Sequence, residues 1–409
     1  MSSLIILVIV ALTTAVLYLQ GSIVRGVLSI VLAVCAAVVA FSFFEILANQ
    51  LISREKITPW AQPVAFGVLF VLSFTILQAV GASLLKQKIS FGDLPEKIGR
   101  VVCGLLLGLI LAGMVLALLA MAPLPTKYPY ERFTASSPDP SNPKKALPNA
   151  DGLVTGLFSI ISRGSMSGRQ SFAALHPGFL DQAYLNRIAG TELTLVTSSE
   201  AIQVPNKDGL WQAREGLTST EGEALSPRSG HTLMVTRIGI RRSAIREAGR
   251  FAISQVRLVC KERSASQDPF EGTGVNVYPI GHMASANTVQ VRRLLEVVAL
   301  SNEDFGEENI RYIDFVFNVP NGYVPVLAQF KGNNSVRLSA IATGDQIPAP
   351  IGLRQGTPAD ATDTGPANGD NRAGSSDNRR GGSSGRTGLS PVGEHLVGGA
   401  LDEDLRLDR

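Results

Sequence analysis

The residues able to carry chemistry are few and widely separated. Four histidines occur, His176, His231, His282 and His395. None stands at HxH or HxxxH spacing from another, so no helix or strand aims two imidazoles at one ion. Cys35 and Cys103 lie in apolar runs and Cys260 stands alone later in the chain. The later region therefore has neither a CxxC clip nor an internal disulfide. Gly164-Ser165-Met166-Ser167-Gly168 has the glycine and serine spacing of a nucleophile elbow, but Met166 fills the nucleophile position and a helix is expected before it. The acidic run Glu303-Asp304-Phe305-Gly306-Glu307-Glu308 offers carboxylates to Ca²⁺, yet lacks the EF-hand spacing and reads as a solvated loop. Arg237, Arg241, Arg242, Arg246 and Arg250 form a basic stretch that could meet anionic lipid head groups, with a solvated face the simpler reading. His176-Pro177-Gly178 looks like a structural turn between helices, and His231 like an ordinary residue at a strand start. We assign no catalytic residue, no cofactor-binding residue, no cofactor and no metal ligand, and expect a protein that is not an enzyme.

The elements that would position these residues fall into unlike regions. Four apolar runs fill the first 125 residues, at about Leu4–Leu19, Val27–Ala48, Pro63–Leu85 and Val101–Ala122. In hydrocarbon a backbone must satisfy its own hydrogen bonds, so each run is expected to be a helix. The short breaks between them dictate antiparallel neighbours. Met1-Ser2-Ser3 carries no basic residue and no small-residue cleavage site follows Leu19, so the first run reads as a span and not a signal peptide. Glu45 is the acidic residue within these runs. An intramembrane carboxylate is a functional candidate by default, but its place near a helix end favours a side chain reaching interfacial water. Gly104, Gly108 and Ala112 fall four apart on one helical face and invite close approach of another helix. That neighbour is expected within the same four-helix unit, with a homodimer as the alternative; Leu107 lies on a different face. Lys and Arg residues give the orientation. Arg25, Lys86, Lys88, Lys97 and Arg100 lie on one side, and Arg54, Lys56, Lys127 and Arg132 on the other. The first side is expected inside, which puts both termini and the large C-terminal region outside the cytoplasm.

Two local features carry a resemblance: Gly21-Ser22-Ile23-Val24-Arg25-Gly26 between the first two runs, and Gly99-Arg100-Val101-Val102-Cys103-Gly104-Leu105-Leu106-Leu107-Gly108 opening the fourth. With four short spans, they make residues 1–125 resemble the colicin V production family of bacterial inner-membrane proteins. The resemblance implies a multi-pass protein of the bacterial cytoplasmic membrane, with a role in toxin production or export or in envelope maintenance. It implies the lipid bilayer and other membrane or envelope proteins as partners, and no catalytic residues. Ser2 and Ser3 stand where the family often has an acid before the first span, and Arg100 adjoins the glycines of the fourth where another acid is common.

Pro123-Leu124-Pro125 ends the fourth run, and residues 126–150 hold Pro129, Pro138, Pro140, Pro143 and Pro148 among Ser, Asn and Lys. This composition predicts an extended linker. Residues 151–348 then read as a soluble β-rich domain with N-terminal helices, able to fold without the membrane. Helices are expected near 153–161 and over 177–188. Strands are expected at Glu192–Val196, Thr232–Ile240, Arg250–Cys260 with a bulge near Ser254-Gln255, Val275–Tyr278, Leu294–Leu300, Tyr312–Val319, Val324–Phe330 and Ser335–Ile341. Pro320-Asn321-Gly322-Tyr323 signals a turn between two of them. The fold class is a four-span α-helical region followed by an α+β domain, an antiparallel sandwich or barrel, and a disordered polar tail at 349–409. A net charge of +3 is too small to imply nucleic acid. We expect a membrane scaffold displaying an interaction domain, with a transport or export component as the alternative and an enzyme a weaker one.

Overall fold

The computed structural model describes residues 1–52, 59–84, 92–163, 171–189, 200–245, 249–265, 268–305, 307 and 309–353. Four apolar helices come first: α1 (Ser2–Gln20), α2 (Ile23–Ile52), α3 (Ala61–Leu84) and α4 (Asp93–Met121). All four are long and apolar enough to cross a bilayer. At about 1.5 Å per residue, α2 and α4 approach 45 Å, well beyond a hydrocarbon core of about 30 Å. Their surplus turns must therefore stand outside it. For α4 the surplus includes its polar first turns, where Asp93, Pro95 and Glu96 suit a helix start. The Glu96 Oε1 atom accepts from the Ile23 backbone N–H at 3.0 Å and from Arg100 Nε at 3.3 Å, tying the starts of α2 and α4 together.

α1 packs on α4, and α2 on α3. The small residues of α4 set the first contact. A Cβ on Gly104 would lie 2.6 Å from Thr14 Cα, and one on Gly108 would lie 2.7 Å from Val10 Cα. The glycine face is thus filled by α1 of the same chain, as the packing reading expected, and it leaves no room there for a second copy. Leu107, on its different face, is buried as well, in the cluster that includes Cys103, Ile110 and Ala33.

Residues 126–150 are not a free tether. Phe133 and Ala146 are buried, Arg132 is 8% exposed, and the Ser2 backbone N–H donates to the Pro129 carbonyl at 3.1 Å. This strap leads to α5 (Ala150–Arg163), α6 (Phe172–Leu175) and α7 (Phe179–Ile188). These three helices bury Phe158, Phe172, Phe179, Leu180 and Tyr184 in one cluster with Phe41, Phe44 and Phe66 of α2 and α3. The part of 151–348 expected to fold by itself therefore begins with helices whose apolar faces lie on the spans.

The β-rich region follows, with β1 (Ile202–Gln203), β2 (Leu210–Gln212), β3 (Thr218–Ser219), β4 (His231–Arg241), α8 (Arg242–Ile245), β5 (Arg250–Ala252), β6 (Val256–Glu262), β7 (Val275–Val277), β8 (Pro279–Met283), β9 (Thr288–Val291), β10 (Val297–Ala299), β11 (Ile310–Pro320), β12 (Tyr323–Phe330) and β13 (Asn334–Arg337). The largest sheet runs β1-β4-β11-β8-β9-β3, with β2 also on β4; a second runs β13-β12-β6-β7, and β10 pairs with β5. Only the β3–β9 pair is parallel among the pairings of described strands. β4 and β11 are antiparallel over their full length, and alternate residues face two clusters. Met234, Ile238, Ile240, Phe315 and Phe317 meet Val256, Leu258 and Phe330 of the second sheet. Leu233, Val235 and Val316 meet Trp211 on the opposite face.

Three expectations change here. The stretch 250–260 is not one bulged strand: a 3₁₀ turn at Ile253–Gln255 sends β5 and β6 into different sheets. The 320–323 turn is present, with Gly322 at φ 85°, but it joins strands of two sheets and does not close a hairpin. Residues 349–351, expected in the tail, are held by the large sheet. Arg237 and Asp314, directly opposite on β4 and β11, pair at 2.8 Å; Arg237 Nη2 donates to the Ala349 carbonyl and the Ile351 N–H donates to Asp314 Oδ2, each at 2.7 Å. The Glu192–Val196 strand and residues 354–409 of the tail lie outside the described residues.

Gly108→Leu places a bulky side chain against the backbone of α1, an overpacking that typically costs about 1–3 kcal/mol. We expect less folded protein in the membrane and an unchanged oligomeric state in mild detergent. Leu106→Ala, on an exposed part of α4, should leave the yield near that of the parent. Fluorescence-detected size-exclusion chromatography of all three proteins reads both quantities, and a parental yield for Gly108→Leu contradicts the packing.

Candidate functional site at the membrane joint

The described residues contain no group of three His, Cys, Asp or Glu side chains able to hold a metal ion. His231, at a strand start, has Nδ1 2.9 Å from the Ser229 carbonyl. His282 is buried on β8, where burial pushes its pKa below the usual imidazole value. Cys260 is buried on β6, where loss of water pushes its thiol up. In the acidic run, Asp304 is consumed by a turn, accepting from the Ser301 backbone N–H at 2.7 Å. The Gly164–Gly168 motif lies outside the described residues, as does Arg246. The basic stretch does not form one lipid-facing patch: Arg237 is buried against Asp314, and Arg241 lies 3.5 Å from Glu200.

What the fold does bring together is Glu45 and His176. They lie 131 positions apart, so no spacing rule links them. Glu45 Oε1 is 2.9 Å from His176 Nε2, where the imidazole N–H donates to the carboxylate. The pair is ionic when the ring carries both protons and a hydrogen bond from a neutral donor otherwise. The Glu45 side chain is 33% exposed and that of His176 7%, so the carboxylate keeps one edge at the interface expected for it while the ring is enclosed. The other ring nitrogen, Nδ1, lies 3.3 Å from Gln182 Oε1 on α7. The His176 turn thus has a partner that its sequence neighbours do not supply.

The turn is held from the β side by one guanidinium. Arg257 on β6 is 2% exposed. Its Nη1 donates to Asn276 Oδ1 at 2.6 Å and to the Pro177 carbonyl at 3.5 Å, and its Nη2 donates to the Leu175 carbonyl at 3.1 Å and to Gln329 Oε1. Asn276 Nδ2 also donates to the Pro177 carbonyl, and Gln329 Nε2 to that of Leu175 at 3.0 Å. The carbonyls on either side of His176 are therefore fixed by side chains from β6, by Asn276 on β7 and by Gln329 on β12. Burial pushes the Arg257 guanidinium down to about 10, which leaves it charged at neutral pH; Glu45 is a negative charge that acts on it. Sheet, turn and α2 form one continuous polar path.

An aromatic cluster backs this path. Phe41 stacks on Phe158 with centroids 4.7 Å apart and meets Phe66 and Phe172 edge-on at 4.9 and 5.2 Å. Phe172 and Phe179 flank the His176 ring. Such pairs contribute about 0.5–1.5 kcal/mol each beyond their area. A second polar group ties the strap to the same place. Arg132 Nε donates to Asp181 Oδ1 at 2.6 Å, Arg132 Nη1 to the Tyr130 hydroxyl at 3.1 Å, and that hydroxyl to the buried Asp151. Asp151 and Asp181 belong to α5 and α7. Arg187, also on α7, donates to the Leu119 carbonyl in the last turn of α4 at 3.2 Å, where a cation suits the helix C-terminus.

Residues 2–138 match the Colicin V production protein family. This segment, about a third of the 409-residue chain, contains all four spans and runs into the strap past Tyr130 and Arg132. The N-terminal segment is thus a colicin V production family membrane segment, and the matched part reaches further than the spans alone. No curated protein and no solved structure matches the chain.

If Glu45 and His176 join the two regions, their effects are not additive. Glu45→Ala and His176→Ala should each destabilise the protein, and the double variant should be more stable than the sum of losses by about 1–2 kcal/mol. Arg257→Met leaves the Leu175 and Pro177 carbonyls to Gln329 and Asn276 alone and removes the donor to Asn276 Oδ1 and Gln329 Oε1, at about 1–3 kcal/mol for each buried group left unpaired. Denaturation in mild detergent, followed by the fluorescence of Trp211 in a Trp60→Phe background, measures all four variants. Strictly additive losses at Glu45 and His176 would show that the pair carries no coupling.

Proposed function

We propose that this protein is a non-catalytic scaffold of the bacterial cytoplasmic membrane, in which four spans hold a β-rich interaction domain in fixed orientation outside the cytoplasm. The observation that carries this reading is the joint, where a buried arginine, a histidine turn and an aromatic cluster bind the β-rich region to the outer end of α2. A loosely tethered module needs no such joint; a platform that presents a surface at a set height and angle does. The name of the matched family adds a role connected with colicin V production, which we extend to export or to envelope maintenance. Other envelope proteins are then the partners.

The transport alternative receives less support from the spans. A solute path needs polar side chains facing one another. Thr13 Oγ1 donates to the Ile9 carbonyl at 2.8 Å, Thr75 Oγ1 to Val71 at 2.7 Å and Ser83 Oγ to Val80 at 2.7 Å, so these hydroxyls are satisfied within their own helices.

The orientation rests on the Lys and Arg residues near the spans. Arg25, Lys97 and Arg100 lie in the first turns of α2 and α4, at the end of α2 opposite the Glu45–His176 pair, and Lys86 and Lys88 lie outside the described residues. On the other side Arg132 is already committed to Asp181. Alkaline phosphatase fused after Lys145 should therefore be active, and a fusion within 86–100 inactive; the reverse pattern overturns the orientation. Co-purification of the full chain in mild detergent should yield envelope proteins that are lost when residues 200–353 are deleted. Partners retained by the truncated chain would place the interaction surface on the spans instead.

A further inference from the structure

We propose that α5 is itself immersed in the bilayer, so that the chain has a fifth membrane-contacting helix which enters the outer leaflet without crossing it. The depth comes from α4. A Cβ on Gly113 would lie 2.3 Å from the Ala150 carbonyl oxygen and 2.5 Å from Val154 Cγ2, so the first turn of α5 rests on Gly113. Gly113 precedes the end of α4 at Met121 by eight residues, about 12 Å by helical rise. Further along α5, Phe158 stacks on Phe41 of α2, four residues before Glu45. The helix therefore lies beside the outer part of the spans and not above them.

Its free face has the chemistry of that location. Leu153, Leu157 and Ile160 recur at i, i+4 and i+7, and are 48%, 36% and 61% exposed. Gly156 between them meets no neighbour. Residues 152–162 carry no charge, Asp151 is buried on the Tyr130 hydroxyl, and the exposed Arg163 comes only at the far end. Asn149, exposed just before the helix, folds its amide back over Gly152. An apolar groove lies beside the start of the helix. Leu147 and Pro148, immediately before α5, complete it with Leu4 and Leu7 of α1 and Leu105 and Leu109 of α4. The occupant that fits this groove and stripe is acyl chain from the leaflet on the β-rich side. In water the same stripe would be an exposed apolar patch needing a cover.

The test uses the full chain with its three cysteines replaced, reconstituted in phosphatidylcholine and phosphatidylglycerol nanodiscs. Single spin labels are placed by Leu153→Cys, Leu157→Cys and Ile160→Cys, with Leu72→Cys on α3 as the lipid reference and Val291→Cys on β9 as the water reference. The expected result is an oxygen-to-nickel-chelate collision ratio at the three α5 sites that matches Leu72 and exceeds Val291 several-fold. Ratios equal to Val291 would put α5 in water and overturn the proposal. Low accessibility to both reagents, together with a dimer in the nanodisc, would show a second copy on this face and overturn it as well. Because a label could disturb packing, Leu157→Trp in a chain with Trp60→Phe and Trp211→Phe provides an independent reading: its emission should be quenched by brominated phosphatidylcholine, and unchanged emission contradicts the assignment.

Discussion

The structure depends on what happens to a carboxylate at the edge of the bilayer. Glu45 lies near the end of the apolar stretch of α2, and a helix of 30 residues carries it to the level where hydrocarbon gives way to polar surroundings. There it meets His176, enclosed by Phe172 and Phe179. A charge in that position is costly without a partner. The turn that supplies the partner must therefore be held firmly, and Arg257 holds it by the carbonyls on both sides. The second sheet is then part of the membrane joint, because it provides Arg257, Asn276 and Gln329. Two sets of interactions that differ in kind, polar hydrogen bonds above and stacked phenylalanines below, converge on the same few turns of α2.

This arrangement changes the role of the proline-rich segment. Composition favours an extended chain with little to bury, and as a flexible coil its 25 residues would let its ends wander over about 25–30 Å. In the structure the same prolines route the strap past the N-terminus of α1. Arg132 and Tyr130 then reach Asp181 and Asp151, fastening α5 and α7 to the bundle. The family match ends within this strap, so the matched segment includes the residues that receive α5 and α7. The spans and the β-rich region are thus joined by side chains from both.

Much of this architecture was legible in the residues. The four spans follow from continuous apolar runs, and the α1–α4 contact from Gly104 and Gly108 four apart. β4, β11 and β12 follow from long β-branched and aromatic stretches. The joint was not legible because its members are paired only by tertiary structure. Glu45 and His176 share no local pattern, and Arg257 alternates along a strand as any exposed arginine would. Arg132 and Tyr130 sit in a stretch whose composition indicates disorder. The turn at Ile253–Gln255 was hidden for another reason: the apolar residues on either side keep a strand-like pattern, though they serve two sheets. The phenylalanines gave a signal that could have been used. Phe41, Phe44, Phe158, Phe172 and Phe179 fall at span and helix positions near the predicted boundary, and aromatic residues on both sides of a junction suit a shared cluster.

The central claim, that the β-rich region is fixed to the spans, is tested most directly by a distance distribution. Spin labels introduced by Ile46→Cys at an exposed site on α2 and Val291→Cys at an exposed site on β9, in a chain without its native cysteines, report the two regions by pulsed electron paramagnetic resonance in nanodiscs. A fixed joint predicts one narrow peak in the full chain, broadened when Arg257 is replaced by Met. A broad distribution in the parent, spread over the roughly 25–30 Å that a free 25-residue coil would allow, would contradict the account.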